Sequence, residues 1–214
     1  MDLVLQNLDF LLRGACYTLQ ITIVSMFFGL IIGLVVAIAR LKGNLAIRGL
    51  ARGYVSIIRG TPIIVQIFIV YYGLPDYGIN LEPLTAAYIS LSINIGAYLS
   101  ETFRGAILSV DKGQTEAALS LGMTGWQTMR KIILPQAARV AIPPMGNTFI
   151  GMLKETSLVS IVTVTELLRS AQLLIAQYYI AMPFYIAIAL MYWMMSMVFS
   201  YILDRIEMKL AKAY

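Results

Sequence analysis

The stretch GQTEAALSLGMTGWQTMRKIILPQ, residues 113–136, is an organised polar interruption between strongly apolar segments. Residues 114–121 are rich in helix formers, and Gly122 stands where a helix would end in a left-handed cap. Thr124 is a suitable N-cap for a second helix, which we expect to stop before Pro135. The stretch therefore predicts a helix, a glycine turn and a second helix.

The composition indicates a protein that crosses a membrane several times. Of the 214 residues, 59% are hydrophobic and 13% are charged, and the mean hydropathy is +0.79, whereas soluble domains carry about 25% charged residues. A net charge of +5 would suggest nucleic acid as the partner of a soluble protein. Here the basic residues lie between apolar segments and follow the positive-inside rule, so no nucleic-acid partner is expected.

Residue types that are scarce or missing exclude several kinds of chemistry. The chain contains no histidine, so imidazole catalysis and histidine metal sites are impossible. Its single cysteine, Cys16, cannot form an intrachain disulfide or a zinc cluster. No phosphate-binding GxxxxGK(S/T) motif is present, so the chain is not expected to bind ATP through a P-loop. We therefore expect neither an enzyme nor a bound cofactor or metal in this chain.

Five apolar segments are long enough to cross about 30 Å of hydrocarbon. The predicted spans are residues 15–39, 54–73, 85–103, 145–168 and 183–203. Lys and Arg cluster after the first, third and fifth spans, which places the N-terminus outside and the C-terminus in the cytoplasm. The N-terminus has no signal-peptide profile, so we expect the first span to stay in the membrane. Because the sequence has no repeat or linker, it predicts one transmembrane domain, residues 1–214, with the polar loop inside.

Two pairs of residues predict contacts of the spans. Gly29 and Gly33 lie four residues apart on the first span, and small residues at this spacing suggest close packing of helices. Glu101 and Arg104 lie three residues apart at the end of the third span. This spacing allows them to pair on one helix face.

Three further polar residues of the second and third spans are candidates for the substrate path. Arg59 precedes Pro62, which suits the first turn of a helix, and Arg59 could reach the cytoplasmic interface or hold backbone carbonyls freed there. Asn94 and Tyr98 are one turn apart, and hydrogen bonding between helices is the favoured role for them over substrate contact.

The fourth span is interrupted by charged residues, Lys154 and Glu155. Each charge at the centre of a span costs about 2.5 to 3.5 kcal/mol, so such residues usually face protein or a water-filled cavity. In one interpretation Glu155, with Thr156 and Ser157, lines the transport path and receives a polar or cationic group of the substrate. In the other, one of the two charges pairs with Arg59, Glu101 or another buried partner and fixes helix packing.

The polar loop resembles a family signature, the EAA loop of the membrane subunits of ABC importers. The matching residues are Glu116, Ala117, Ala118, Gly122, Ile132, Leu134 and Pro135. A match at every fixed position is far more specific than a glycine turn alone. The alternative interpretation is an amphipathic loop helix that only covers the bilayer surface.

The resemblance extends to the polar amino-acid branch of these permeases, the histidine, glutamine, arginine and cystine group. Residues 59–66, RGTPIIVQ, look like the RGTPxxxQ segment of that branch, and positions within 97–106 and 134–158 also match it. The stretch FLLRGACYTLQ, residues 10–20, is similar to the cystine permeases in particular.

This resemblance implies a type I importer fold, an all-α polytopic membrane domain with five transmembrane helices and a cytoplasmic coupling helix. Two permeases, either identical or paralogous, would form the translocation path in the lipid of a bacterial inner membrane. Two cytoplasmic ATPases would bind ATP and Mg, and an extracytoplasmic binding protein would deliver the amino acid. The residues implied in ATPase coupling are Glu116, Ala117, Ala118, Gly122, Met123 and Thr124.

Two other classes of function compete with an importer permease. One is a secondary transporter or channel driven by an ion gradient. The odd number of spans and the absence of an inverted repeat in the sequence disfavour it. A membrane scaffold that recruits a partner through the same loop is disfavoured by the charged break in the fourth span, whose insertion cost a scaffold has no need to bear.

Overall fold

The computed structural model describes residues 2–211, which form helices and short connections, as the all-α prediction required. Within this range the ten α-helices are α1 (Asp2–Gln6), α2 (Leu8–Lys42), α3 (Leu45–Gly60), α4 (Ile63–Phe68), α5 (Pro83–Leu108), α6 (Lys112–Ser120), α7 (Gly125–Thr128), α8 (Leu134–Glu155), α9 (Leu167–Tyr178) and α10 (Met182–Ala211). Wide π-helical turns occur at Ile69–Gly73 and Met129–Ile133, and tight 3₁₀ turns occur at Leu74–Tyr77 and Thr156–Val162.

The long helices α2 and α5 pack along each other and form the centre of the fold. They approach closely where α2 carries glycine, because a methyl group at Gly29 would collide with Ile95 Cγ2, and one at Gly33 would lie 2.8 Å from Leu99 Cβ. The close packing predicted from the Gly29 and Gly33 spacing is therefore confirmed. Its partner is a helix of the same chain.

Two clusters of buried apolar side chains surround this helix pair. The first joins α2, α4, α5, α8 and the 3₁₀ turn after α8, with Ile21, Ile67, Leu91, Leu99, Met152 and Val159 at its centre. The second joins α1, α2, α9 and α10 through Leu11, Leu167, Leu174 and Phe184. The first cluster lies beside the polar residues of α5 and α8 that the sequence singled out.

Two of the described helices, α2 and α10, are by themselves long and apolar enough to cross a membrane. Two further candidates are bent pairs: Leu45–Gly60 with Ile63–Tyr77, at 107°, and Gly125–Val162 with Leu167–Tyr178, at 48°. The second predicted span, residues 54–73, is thus not one straight helix, since it breaks at Thr61 and Pro62. The first begins at Leu8 instead of Ala15, because hydropathy marks only the apolar part of a longer helix.

Helix α8 contradicts the expectation that prolines bound the helices on either side of them. Pro135 lies in the first turn of α8, where no N–H is needed, and a π turn precedes it, closed by the Leu134 N–H donating to Met129 O. The second loop helix therefore does not stop before Pro135. Pro143 and Pro144 lie inside α8, so the fourth helix does not start after them. Packing against neighbouring helices allows proline inside such a helix.

Candidate functional site

The polar loop begins with a helix whose start is set by a residue that the sequence analysis passed over. The Asp111 side chain accepts a hydrogen bond from the Gly113 N–H at 2.7 Å, so α6 begins at Lys112, two residues before the predicted start. An aspartate at the N-cap satisfies one of the free amides of the first turn. Asp111 lies two residues before the loop, and its residue type was the available signal.

The turn after α6 has the geometry expected at Gly122. Gly122 has φ +80°, in the left-handed region. Its N–H donates to Leu119 O at 2.9 Å, and the Met123 N–H donates to Ala118 O at 3.1 Å. These two bonds are those of a Schellman cap. The predicted left-handed cap is confirmed.

The second helix of the loop starts at the predicted N-cap, Thr124. Its hydroxyl accepts a hydrogen bond from the Gln127 N–H at 3.3 Å, and the Thr124 N–H donates to Gln127 Oε1 at 2.8 Å. This reciprocal pair is a capping box, which fixes the start of α7. The loop is also tied to α8, because Gln136 Nε2 donates to Gln114 Oε1 at 3.3 Å.

Three large apolar side chains near the turn between α6 and α7 are exposed. Leu121 is 83% exposed and Trp126 is 65% exposed, and Leu119 lies beside them in sequence with half of its surface accessible. Of the predicted coupling residues, Glu116 and Ala117 are exposed and Ala118 is buried. Large exposed apolar side chains grouped in one loop indicate a contact with another molecule. The resemblance did not identify these three large side chains.

The break between α3 and α4 is held by Gln66, which is 7% exposed. Pro62 has no N–H, so Ile58 O loses the donor that would continue α3. Gln66 Nε2 replaces that donor, at 2.8 Å from Ile58 O and 3.1 Å from Thr61 O. Gln66 Oε1 in turn accepts a hydrogen bond from Asn94 Nδ2 at 3.0 Å. The freed carbonyls are therefore held by Gln66 and not by Arg59.

Arg59 belongs to a cluster of charges around Glu101. The Glu101 carboxylate accepts hydrogen bonds from Arg40 of α2 and from Arg104 of α5, the latter at 2.8 Å, so the predicted pair of Glu101 and Arg104 is confirmed. Arg59 Nη1 lies farther away, 3.9 Å from Glu101 Oε1, and its guanidinium lies over the Tyr98 ring at 5.2 Å. One carboxylate thus joins three helices, and a positive excess remains beside Tyr98.

Glu155 lies at the end of α8 and lines a small cavity of about 170 Å³. The cavity-lining residues are Asn94, Ile95, Tyr98, Thr148, Gly151, Met152 and Glu155. Asn94 and Tyr98 of α5 and Glu155 of α8 are thus brought together around one cavity, a grouping that the sequence did not predict. Glu155 and Lys154 are both exposed, but Lys154 does not line this cavity.

The other candidates for the substrate path do not line this cavity. The Thr156 hydroxyl donates to Leu153 O at 2.8 Å, and the Ser157 hydroxyl donates to Lys154 O at 2.7 Å, so both serve the last turn of α8. Among the residues that line the cavity, Arg59 contacts Tyr98, through its ring. Among residues 2–211 no ion pair joins Glu155 or Lys154 to a basic or acidic partner. The alternative, in which one of them forms an ion pair with Arg59, Glu101 or another buried charge, is therefore not observed among these residues.

Hydrogen bonding between helices was the favoured prediction for both Asn94 and Tyr98, and the structure shows it for Asn94 only. The Asn94 amide makes the hydrogen bond to Gln66 that joins α5 to α4, so hydrogen bonding between helices is confirmed for this residue. Tyr98, by contrast, is 43% exposed. Its ring faces Arg59 on one side and contributes to the cavity.

A second polar network lies at Glu166, which was not among the residues singled out from the sequence. Glu166 is fully buried and caps α9 by accepting hydrogen bonds from the Leu168 and Arg169 N–H groups, both at 2.8 Å. The Tyr192 hydroxyl of α10 donates to Glu166 Oε2 at 2.7 Å. The adjacent Leu167 N–H donates to Thr18 Oγ1 of α2 at 3.2 Å. Three helices meet at this point.

Known proteins that resemble this chain are membrane components of transport systems. Residues 29–212 match the family described as the binding-protein-dependent transport system inner membrane component. A probable amino-acid ABC transporter permease, YckA of Bacillus subtilis, is 45% identical over 191 residues, which cover 89% of this chain and 84% of the relative. The L-cystine transport system permease TcyB of the same organism is 44% identical over 211 residues, covering 98% and 90%.

A bacterial glutamine permease and two solved structures are also similar to this chain. The glutamine transport system permease GlnP of Escherichia coli is 41% identical over 202 residues, covering 94% of this chain and 92% of the relative. A crystal structure of an amino acid ABC transporter superimposes with a TM-score of 0.93 at 37% identity, and covers 96% of both chains. The MetNI methionine ABC transporter shares the fold, with a TM-score of 0.78 at 22% identity. The superposition covers 95% of this chain and 97% of that chain.

The family match spans most of the chain, and the relatives cover nearly all of it at more than 40% identity. Such systems divide their work between an inner-membrane permease and separate ATPase and binding-protein subunits. The chain therefore belongs to the family of inner-membrane components of binding-protein-dependent transport systems, and it is an ABC importer permease whose ATPase is a separate subunit.

Proposed function

We propose that this permease imports polar amino acids, and that its substrate crosses the membrane past the cavity formed by Asn94, Tyr98 and Glu155. The substrate class follows from the relatives, whose names refer to amino acids, L-cystine and glutamine. L-Cystine, glutamine, arginine and histidine are the substrates to test first.

The observation that carries this proposal is the position of Glu155. Its carboxylate lines the cavity at the end of α8, and no cation of the described residues lies within 4 Å of it. A carboxylate in a transmembrane segment costs about 2.5 to 3.5 kcal/mol, so a position without a partner indicates a functional role. An amino acid supplies the missing partner, because its ammonium group is a cation.

The assembly that we propose contains two permeases, identical or paralogous, and two cytoplasmic ATPases, with a binding protein on the outer face. ATP and Mg bind to the ATPases, and this chain holds no cofactor. We propose five membrane crossings in a bacterial inner membrane, with the N-terminus outside and the C-terminus inside. In this arrangement the polar loop faces the cytoplasm, where the positive-inside rule places its basic residues.

The polar loop is the proposed docking element for the ATPase. Glu116, Ala117, Gly122 and Thr124 lie at or near the surface of a compact cap. The exposed Leu121 and Trp126 side chains supply apolar surface for a helix to lie in a groove of the partner. Met123 and Ala118 close the cap from within, through the hydrogen bond between Met123 N–H and Ala118 O.

The test is uptake by the complete transporter, reconstituted in liposomes with its ATPase and binding protein. Glu155→Gln removes the charge and keeps the shape of the side chain, and we expect it to reduce uptake at least about tenfold, as loss of a charged hydrogen bond implies. The matched control is Lys154→Gln, a change of charge at the adjacent residue outside the cavity, which should retain uptake. Normal uptake by the Glu155→Gln variant would show that the substrate does not use this cavity.

A separate measurement tests the docking element. Glu116→Lys should abolish co-purification of the ATPase with the permease, while Glu155→Gln should leave it intact. Uptake that persists without ATP and without the ATPase would contradict the ABC mechanism and favour a transporter driven by an ion gradient.

A further inference from the structure

The break between α3 and α4 and the proposed substrate cavity are connected by two amide side chains. Gln66 lies on α4, just after the break, and Asn94 lies on α5, where it lines the cavity. Both are almost fully buried, at 7% and 4% exposure. The direction of the hydrogen bonds between them determines which atom of Asn94 is available to the substrate.

The orientation of the Gln66 amide is fixed, because the groups that face it at the break between α3 and α4 are hydrogen-bond acceptors. Backbone carbonyls only accept hydrogen bonds, so the atom of Gln66 that faces Ile58 O and Thr61 O must be the amide nitrogen. Flipping the amide would place the Gln66 oxygen against two carbonyl oxygens and leave all three without that donor. The Gln66 oxygen therefore points in the opposite direction, towards Asn94.

The orientation of Gln66 fixes that of Asn94 in turn. Gln66 Oε1 needs a donor, and Asn94 Nδ2 supplies it at 3.0 Å. One N–H of the Asn94 amide is then committed to α4. The carbonyl oxygen Oδ1, at the other end of the amide, is the acceptor that Asn94 can offer to the cavity that it lines together with Glu155.

We propose that Gln66 is a positioning residue for substrate specificity, because it holds Asn94 with an acceptor towards the cavity, so that Asn94 and Glu155 together receive the ammonium group of the amino acid. This inference rests on the proposed function of the cavity. The loss of one N–H at Pro62 is the origin of the arrangement, since the free carbonyl of Ile58 dictates the direction of every hydrogen bond that follows. With Asn94 reversed, the cavity would offer a donor, which repels an ammonium group.

The test is equilibrium binding of radiolabelled L-glutamine, L-arginine and L-cystine to the purified complex of permease and ATPase, without the binding protein. The amino acid that binds best is then competed with its N-acetyl derivative, which keeps the side chain and lacks the ammonium group. Wild type should bind the N-acetyl derivative at least about tenfold more weakly, as expected for a lost charged hydrogen bond.

Two substitutions of Gln66 separate its positioning role from its repair of the break. Gln66→Met removes both hydrogen-bonding functions, so the preference for the free amino acid over its N-acetyl derivative should fall about tenfold. Gln66→Glu keeps an acceptor for Asn94 and loses the donors to Ile58 O and Thr61 O, so this preference should persist even where thermal stability falls. Ser92→Ala, at a buried hydroxyl of α5 outside the network, is the control and should change neither quantity.

A double-mutant cycle identifies the route through Asn94. Asn94→Leu should lower the preference as much as Gln66→Met does, and the double variant should be no worse than Asn94→Leu alone, since Gln66 acts only through Asn94. Additive losses, or equal losses in the Met and Glu variants of Gln66, would show that Gln66 only stabilises the break and would overturn the inference. If wild type binds none of the three amino acids, the proposed function of the cavity fails, which is a different result from binding without ammonium selectivity.

Discussion

A substitution at Gly122 offers a quantitative test of the proposed docking loop. The backbone conformation there is unfavourable for residues other than glycine, while the space around it is open. Its φ of +80° lies in the left-handed region, and a methyl group added at this position would meet no atom within 4 Å. The cost of Gly122→Ala is therefore a backbone cost only, about 1 kcal/mol. We expect this cost to appear as a roughly fivefold weaker association of the permease with its ATPase.

The assay is the dissociation constant of the purified ATPase for the permease in detergent, measured for three variants. Gly122→Asn should weaken association less than Gly122→Ala, because asparagine tolerates the left-handed region. Gly125→Ala is the matched control, at a glycine of the same loop that also has open space around it and does not have positive φ. Equal effects of the Ala substitutions at the two glycines would refute the argument from backbone strain.

Three further substitutions test contacts that hold the helices together, each read as the midpoint of thermal unfolding in detergent. Gly29→Val should destabilise the protein by about 1 to 3 kcal/mol, because its side chain collides with Ile95, whereas Gly53→Val, where no atom lies within 4 Å, should not. Glu101→Gln should cost about 2 kcal/mol, since it removes the charged acceptor of the hydrogen bonds from Arg40 and Arg104. Asp9→Asn, which breaks an exposed ion pair, should cost less than about 1 kcal/mol. Glu166→Ala should cost about 2 kcal/mol, through loss of a helix cap and of a buried acceptor. Unchanged midpoints for these variants would show that the contacts contribute no stability.

The parts of the fold that could be predicted from sequence depend on residues close together in the chain. The Gly122 cap and the Thr124 N-cap each involve residues within five positions, so the residue types at those positions suffice. The pair of Glu101 and Arg104 is of the same kind. Gly29 and Gly33 predicted close packing for a related reason, since absent side chains permit approach whichever helix is the partner.

The parts that could not be predicted depend on partners far away in sequence. Gln66 is hydrogen-bonded to Asn94, which lies 28 positions later in the sequence. Glu166 is hydrogen-bonded to Tyr192, which lies 26 positions later. The family segment RGTPxxxQ marked Gln66, but no local pattern indicated the distant partner of either residue. The prolines failed as boundaries for the same reason, because local rules describe an isolated helix, while α8 is supported by the helices packed around it.

The continuity of α8 with the loop bears directly on how the permease couples to its ATPase. A helical path without a break runs from Gly125 in the loop through α8 to the 3₁₀ turn ending at Val162. At about 1.5 Å per residue, the 30 residues from Gly125 to Glu155 span about 45 Å. Had the helix stopped before Pro135, as the sequence suggested, a flexible joint would separate the ATPase surface from the cavity. Because it does not stop, we infer that a displacement of the loop is transmitted to Glu155 through a rod, which bends most easily at Pro143 and Pro144, where two backbone hydrogen bonds are missing.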